Sequence, residues 1–362
     1  TQSELGGAQK NVLLLCQGLK DRYDITVYSA PGGKMIDELQ AMGVRHIAID
    51  EMVREINPIM DFKCLKHLKK EFKENKFDIV HCHSSKAGIL GREAAHSAGI
   101  SKIVYTAHGF VFNEPMSNLK KKIYTFLEAY ESRKTTSLIC VNEGDIEVAK
   151  ENGIIPKKEA VYVPNGIDFN ESEETQGEDI EAFKKKFNIT SEDFVFGCVA
   201  NFYETKGHRY LIQAFNDLCQ EGYKAKLLLI GDGQLLPEMK TLAEGNNSII
   251  FTGYVDNASE KMKAMDCFVM SSVKEGFPFV ILEAVKNKIP IISTDVGAVR
   301  KIIKGEELGI ITEPGNAVNL RLSMIKAIEN YEEMKEKAEK SYQLNKERYS
   351  LEAMIKATES LY

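Results

Sequence analysis

Residues 194–233 read FVFGCVANFYETKGHRYLIQAFNDLCQEGYKAKLLLIGDG. Two short apolar runs, FVFGCV and AKLLLI, flank a glycine-bearing loop and a segment of helical period. In that segment Leu211, Ala214, Phe215 and Leu218 recur at three- and four-residue spacing, one face of a helix, and Gly222 stops it. Apolar runs bounded by Gly, Asn or Ser read as parallel strands covered on both faces. Strand, helix and strand in that order make a βαβ unit, which predicts an α/β fold with a parallel sheet.

The same alternation extends in both directions. DITVYSA, RHIAID, FDIVHCHS, KIVYTAHG, TSLICVN and AVYVPNG precede the unit; IIFTGY, CFVMSS, IPIISTD and LGIITEP follow it. Helical segments such as MDFKCLKHLKKEFKENK lie between. The two sets of strands are parted by DFNESEETQGEDIE, Asp168 to Glu181, acidic and nearly free of apolar residues, as an exposed connector is expected to be. The 362 residues exceed the length at which one core stops growing, about 250–300, so two domains are expected: 1–168 and 169–340. Residues 341–362 form a separate amphipathic helix pattern with no strand after it. Charge divides along the same seam: residues 1–168 carry 23 Lys+Arg against 22 Asp+Glu, the remainder 24 against 31.

Composition removes several classes. At 43% hydrophobic and 28% charged, the chain is not a disordered one. A net charge of −6 argues against a basic nucleic-acid binder. No apolar run approaches the ~18 residues of a membrane span, and no cationic stretch followed by an apolar one reads as a secretory signal. The seven cysteines (Cys16, Cys64, Cys82, Cys140, Cys198, Cys219, Cys267) are odd in number, scattered and without a C-x-x-C pair. That is the usage of small buried hydrophobes in a reducing compartment, so a cytoplasmic protein is expected. The chain opens on TQSELGGAQKNVLLLCQGL, a glycine-rich loop running straight into a helix. Such a loop normally follows a strand, so about 5–6 residues of strand are expected upstream of Thr1.

Chemistry-bearing residues gather where strands are expected to end. In KEGFPFVILEAV, Glu275 and Glu283 bracket Gly276 and Pro278. A glycine turn before a helix N-terminus favours anions, and a carboxylate at each end can grip hydroxyls; composition alone favours two solvated glutamates at a strand-end turn. VANFYETKGH puts Asn201, Lys206 and Gly207 at a strand's C-terminal mouth, where open α/β sheets bind ligands. Lys206 suits a pyrophosphate there, or is an ordinary loop lysine. LLLIGDGQ sets Gly231 and Gly233 around Asp232, which is short of a dinucleotide fingerprint. Gly6 and Gly7 open a helix, as phosphate donors or as a bare helix start. TAHGF puts His108 and Gly109 at a strand end. HCHS sends His81 and His83 to one face of a strand, but no further ligand cluster has metal spacing. D-x-D, G-x-x-x-x-G-K-[ST] and G-x-S-x-G patterns do not occur.

Together and in order, GGAQ, HSSKAGILGR, TAHGF, VPNGID, the KG loop, GDG, FTGYV and EGFPFVILEA resemble the family 4 retaining glycosyltransferases of the GT-B fold. The resemblance covers essentially the whole chain and is closest to members that build bacterial capsular, exopolysaccharide or lipid-linked glycans. It implies two Rossmann-like domains facing a cleft, with the acceptor mainly on the first, the nucleotide-sugar on the second and residues 341–362 returning to the first. The family's E-x7-E motif falls on Glu275 and Glu283. Glu275 and the amides of Gly276, Phe277 and Pro278's neighbours would hold the donor sugar, and Glu283 the ribose. Lys206 would hold the diphosphate with the Gly7 backbone N–H, and His108 would lie beside the sugar near the reacting centre. Tyr254 and Val255 would border the base with Gly231 nearby, and Asn165, Gly166 and Asp168 would form the interdomain crossing. Many members carry an arginine where this chain has Asn201; Lys206 then acts alone or with Arg209.

The implied activity is transfer of a sugar from a nucleotide-diphospho-sugar, a UDP-sugar, to a glycan or polyprenyl-diphosphate-linked acceptor, with no metal and no cofactor beyond the donor. A GT-B nucleotide-sugar epimerase and a non-catalytic sugar-nucleotide-binding subunit are the alternatives; no nucleic acid is expected as a partner. The segment from Asp61 to Lys76 carries Lys63, Lys66, Lys69, Lys70, Lys73 and Lys76, and Lys120 to Lys122 follow the apolar GFVFNEPM. These are a solvated basic face, or a patch for an anionic membrane surface on the inner leaflet.

Overall fold

The computed structural model describes residues 3–53, 55–113, 116–170 and 177–362. Every apolar run named above becomes a strand. The chain runs α1 (Gly7–Leu19), β1 (Thr26–Ser29), α2 (Lys34–Ala41), β2 (Arg45–Ala48), α3 (Pro58–Asn75), β3 (Ile79–His83), α4 (Ser85–Ser97), β4 (Lys102–Ala107), α5 (Asn118–Ser132), β5 (Ser137–Cys140), α6 (Gly144–Glu151) and β6 (Glu159–Tyr162). It continues α7 (Gly177–Lys186), β7 (Phe194–Val199), α8 (His208–Gln220), β8 (Ala225–Ile230), α9 (Leu236–Leu242), β9 (Ile249–Gly253), α10 (Ala258–Lys261) and β10 (Cys267–Met270). Then come α11 (Phe279–Lys286), β11 (Ile291–Thr294), α12 (Val299–Ile302), β12 (Ile310–Thr312), α13 (Ala317–Glu329), α14 (Tyr331–Asn345) and α15 (Leu351–Glu359).

Two units result: Thr1–Gly166 with Leu351–Tyr362, and Ile167–Ser350. The crossings therefore fall at 166/167 and 350/351, not at 168 and 340. Residues 341–350 stay in the second unit. The helix pattern of 341–362 is broken there, because α14 ends at Asn345 and turns precede α15. Ile167 N–H donates to the Tyr349 carbonyl at 3.0 Å, so the two strands of the crossing lie side by side. Of the acidic connector, residues 171–176 lie outside the described residues. Its last part, from Gly177, is already α7, with Ile180 buried rather than exposed.

In the first unit β3-β4-β5-β6 form one parallel sheet and β1-β2 a second. A cavity of about 490 Å³ is lined by every residue of both β1 and β3. Helix α4 lies very close to β3 and β4. A Cβ on Gly88 would come 2.6 Å from the Tyr105 ring, and one on Gly91 2.7 Å from Cys82 Sγ. The glycines of HSSKAGILGR are thus packing residues. The arginine of that motif, Arg92, is fully buried. Its guanidinium lies 4.0 Å from the Tyr105 ring centre, Nη2 donates to Glu128 Oε2 at 2.6 Å, and Nε donates to the Gly88 carbonyl at 2.9 Å. The Tyr105 hydroxyl donates to the other Glu128 oxygen at 3.2 Å. A buried ion pair holds together only when its remaining polar positions are answered, as most are here.

The second unit is one six-stranded parallel sheet, ordered β12-β11-β10-β7-β8-β9. Leu211, Ala214, Phe215 and Leu218 of α8 are completely buried against it, as the spacing predicted. Each contributes about 1.5–3 kcal/mol when fully buried if it is a Leu or Phe. Counting outward from β7, the chain builds β8 and β9 on one side, then returns to build β10, β11 and β12 on the other. The order reverses between β7 and β10, which opens a crevice at their carboxyl ends.

Candidate active site

Lys206 and Glu275 meet at that reversal. Past β7 the chain makes a single 3-10 turn, Glu204–Lys206, and enters α8 through Gly207. Gly207 has φ 66, and a Cβ there would lie 2.1 Å from the Ser271 carbonyl oxygen, so only glycine fits. Ser271 Oγ donates to the Lys206 carbonyl at 3.0 Å, and Val273 N–H donates to the Thr205 carbonyl at 2.9 Å. These bonds fasten the loop to the exit of β10. Lys206 Nζ then donates to Glu275 Oε1 at 2.7 Å, and Ser272 Oγ donates to the same oxygen at 2.7 Å. The lysine side chain is 28% exposed and the glutamate 13%. Nothing but the polar serines closing an otherwise apolar β10 run hinted at this role of Ser272.

Gly276, Phe277 and Pro278 carry the chain from Glu275 into α11, with Pro278 as its N-cap. Ala298 N–H donates to the Gly276 carbonyl at 2.9 Å and pins the turn. Glu283 sits at the start of the second turn of α11, half-buried. No acidic residue stands in the first turn of α11, so its N-terminal amides face no carboxylate of their own helix.

The remaining candidates of this unit ring the same sheet edge. Asn201 follows β7, and its carbonyl accepts from Tyr203 N–H at 2.8 Å. The GDG turn after β8 wraps the exit of β7: Phe202 N–H donates to the Asp232 carbonyl at 2.9 Å, and Gly231 N–H to the Gly253 carbonyl at 3.0 Å. That second bond joins the exits of β8 and β9, where Tyr254 is exposed and Val255 half-buried. Arg209 has carboxylate partners of its own. Its Nη2 lies 3.0 Å from Glu238 Oε1 and 3.7 Å from Glu204 Oε2, so two carboxylates already answer its charge.

Gly7 and His108 belong to the first unit. Gly7 is the first residue of α1, and Gly6 caps it. His108 follows β4; its Nε2 lies 3.2 Å from His83 Nδ1, and burial pushes its pKa down to about 4. His81 and His83 share one face of β3 as alternation predicted, with ring centres 4.2 Å apart. His81 Nδ1 is 2.7 Å from the Tyr362 hydroxyl and Nε2 2.7 Å from Thr106 Oγ1.

Comparison with known proteins bears on the family and the fold. Residues 5–171 match the family described as Glycosyltransferase Family 4, and residues 179–344 match Glycosyl transferases group 1. The chain is 31% identical over 300 residues to the UDP-Gal:alpha-D-GlcNAc-diphosphoundecaprenol alpha-1,3-galactosyltransferase of Escherichia coli, covering 81% of this chain and 77% of that protein. This chain is a family 4 glycosyltransferase. The glycosyltransferase is also 27% identical over 311 residues to the capsular polysaccharide biosynthesis glycosyltransferase CapM of Staphylococcus aureus, spanning 82% of this chain and 78% of the relative. Its fold is that of Anabaena HepE solved with UDP-glucose, at a TM-score of 0.84 and 19% identity over 100% of this chain and 97% of that one. WaaG, a glycosyltransferase involved in lipopolysaccharide biosynthesis, superposes at 0.75 with 15% identity over 98% and 95% of the two chains. The architecture is GT-B, as the motifs implied.

Proposed function

We propose that this glycosyltransferase takes a UDP-sugar, transfers the sugar with retention and without a metal, and extends a glycan or polyprenyl-diphosphate-linked acceptor in surface polysaccharide synthesis. The observation that carries the donor half is the Lys206–Glu275 contact at the β7/β10 crevice. A lysine, a carboxylate and the amide-rich start of α11 converge on one sheet edge. In the transfer, the bond from C1 to the diphosphate oxygen breaks and its electron pair passes to the diphosphate. The acceptor hydroxyl oxygen takes that place on C1, and its proton leaves with the diphosphate. Lys206 and the α11 amides meet the growing charge at the moment it appears, the task a preorganised cationic site performs best. Glu275 accepts from the sugar hydroxyls and Glu283 from the ribose. The UDP donor and the lipid-linked acceptor are supported by what the Escherichia coli relative is named for and by HepE's UDP complexes.

The acceptor half carries a membrane surface in this reading. On α5, Leu119, Ile123, Phe126 and Tyr130 are 70%, 48%, 68% and 47% exposed and follow one another at four-, three- and four-residue steps. Lys120, Lys121 and Lys122 flank that stripe, all exposed. Ile59 and Phe62 stand out from the start of α3 beside its lysines. An apolar stripe between lysines suits an anionic leaflet, where each lysine contributes about 1 kcal/mol within a Debye length. GFVFNEPM is a different case: Phe110 and Phe112 are buried in the core, and Glu114 and Pro115 lie outside the described residues. No helix among the described residues is long and apolar enough to cross a membrane.

The test is incubation with UDP-glucose, UDP-galactose and UDP-N-acetylhexosamines, with and without a polyprenyl-diphosphate-linked sugar, in excess chelator. A new α-linked product and released UDP in chelator are expected. An altered sugar nucleotide released without acceptor would identify an epimerase, and loss of activity on chelation would remove the metal-free step. Co-sedimentation with phosphatidylglycerol vesicles should be strong at low salt and weak at high salt, and Phe126→Asp should lower it. No binding at low salt contradicts the membrane surface.

A further inference from the structure

We infer that His83 is a positioning residue for His108, holding that ring in one orientation and one proton arrangement through a shared hydrogen. This rests on the reading above that His108 lies beside the donor sugar.

β3 and β4 pair in parallel with His83 opposite Thr106. His83 is therefore the last residue of its strand, and His108 lies just past the end of the neighbouring one. The rings meet edge to edge, with centres 5.5 Å apart and planes 24° from parallel, and His83 Nδ1 comes 3.2 Å from His108 Nε2. Burial lowers both rings well below the ordinary histidine range, so both are neutral near pH 7. Two neutral imidazole nitrogens at that distance must share one hydrogen, because each ring carries only one N–H. The bond engages His108 Nε2 and leaves Nδ1 as its free atom, a donor when His83 donates and an acceptor when His108 does. His108 thereby offers one defined hydrogen-bonding atom, where a free imidazole offers two exchanging forms.

His83 is itself held. The ring of His81 lies against it, with centres 4.2 Å apart, and both nitrogens of His81 are engaged, by the Tyr362 hydroxyl and Thr106 Oγ1. The support runs from Tyr362 and Thr106 through His81 to His83 and on to His108. A ring that only filled space here would not need Nδ1 placed on His108 Nε2.

Three variants test this with UDP-sugar and acceptor saturation curves and with ¹⁵N-histidine spectra of the full chain. His83→Phe keeps an aromatic ring and removes the shared hydrogen. His83→Asn places an amide nitrogen near the Nδ1 position. His108→Ala reports on the reading beneath. The expected result is a kcat loss of about tenfold or more in His83→Phe, with KM for the donor changed less than threefold and substantial recovery in His83→Asn. The His108 resonances should pass from one tautomer to a mixture in His83→Phe. The double variant His83→Phe/His108→Ala should be no worse than His108→Ala. If His108→Ala costs activity but His83→Phe keeps full kcat and a single His108 tautomer, the positioning role is overturned and the reading of His108 stands. If His108→Ala leaves kcat intact, that reading fails and the positioning role goes with it.

Discussion

Replacing Glu275 by glutamine separates two tasks that meet on one carboxylate. Lys206 Nζ is held on Glu275 Oε1 at 2.7 Å, and the two side chains are 28% and 13% exposed. Exposed pairs contribute about 0–1 kcal/mol, and charge-assisted hydrogen bonds about 1.5–3. At this partial burial about 1 kcal/mol keeps the ammonium on the carboxylate. A diphosphate must draw the lysine away from that partner. Glu275→Gln keeps the shape and the Ser272 contact but removes the competing charge. UDP should then bind about fivefold more tightly, which is the same ~1 kcal/mol expressed as an equilibrium constant. Turnover should move the other way, because the sugar hydroxyls lose a charged acceptor worth about 1.5–3 kcal/mol, a fall of roughly 10–100-fold in kcat. Titration calorimetry with UDP and uridine, beside steady-state rates, reads both. If Glu275→Gln binds UDP tenfold more weakly while uridine is unchanged, the glutamate orients Lys206 for the phosphates instead of competing for it.

Other perturbations probe separate parts. Glu283→Ala should weaken UDP and uridine equally, by about 10–100-fold, since the ribose common to both loses a partner worth about 1.5–3 kcal/mol; calorimetry showing unchanged uridine affinity removes the ribose role. Glu128→Ala leaves the fully buried Arg92 without its counter-charge and should cost about 3–5 kcal/mol of stability in urea unfolding; a loss under 1 kcal/mol would mean that water reaches Arg92. Burial pushes His81 to about 3 and His108 to about 4, against about 6.5 when unfolded. Between pH 6.5 and 4 the unfolded chain binds protons that the native one refuses, so stability is full above pH 6.5 and falls with acidification by up to about 1.4 kcal/mol per pH unit per histidine. Urea midpoints at pH 7.5, 6 and 5 measure it, and His81→Phe should flatten the slope.

The βαβ alternation was legible because parallel strands must be apolar on both faces, which writes FVFGCV and AKLLLI as uninterrupted runs. The meeting of Lys206 with Glu275 was legible only as two separate strand ends. Sixty-nine residues part them, and it takes the reversal of strand order between β7 and β10 to put those ends side by side. At Arg209, nearness in sequence to Lys206 said nothing of its pairing with Glu204 and Glu238. The packing role of the glycines of HSSKAGILGR was not legible in their spacing, since the reason for them is the Tyr105 ring beside Gly88 and Cys82 Sγ beside Gly91, both on strands. The apolar stripe of α5 was hidden for a related cause. Its outer positions have the same period as a core face, and only the fold shows that the opposite side, with Glu128 and Glu131, is the buried one.

The proposed donor site depends on Lys206 as its diphosphate contact. The affinities of UDP and uridine for the wild-type glycosyltransferase and for Lys206→Ala test that most directly. The lysine's bond to phosphate, about 1.5–3 kcal/mol, less about 1 kcal/mol for leaving Glu275, predicts a loss of roughly 2–30-fold for UDP and no change for uridine. Equal losses for both ligands, or none for UDP, would contradict it.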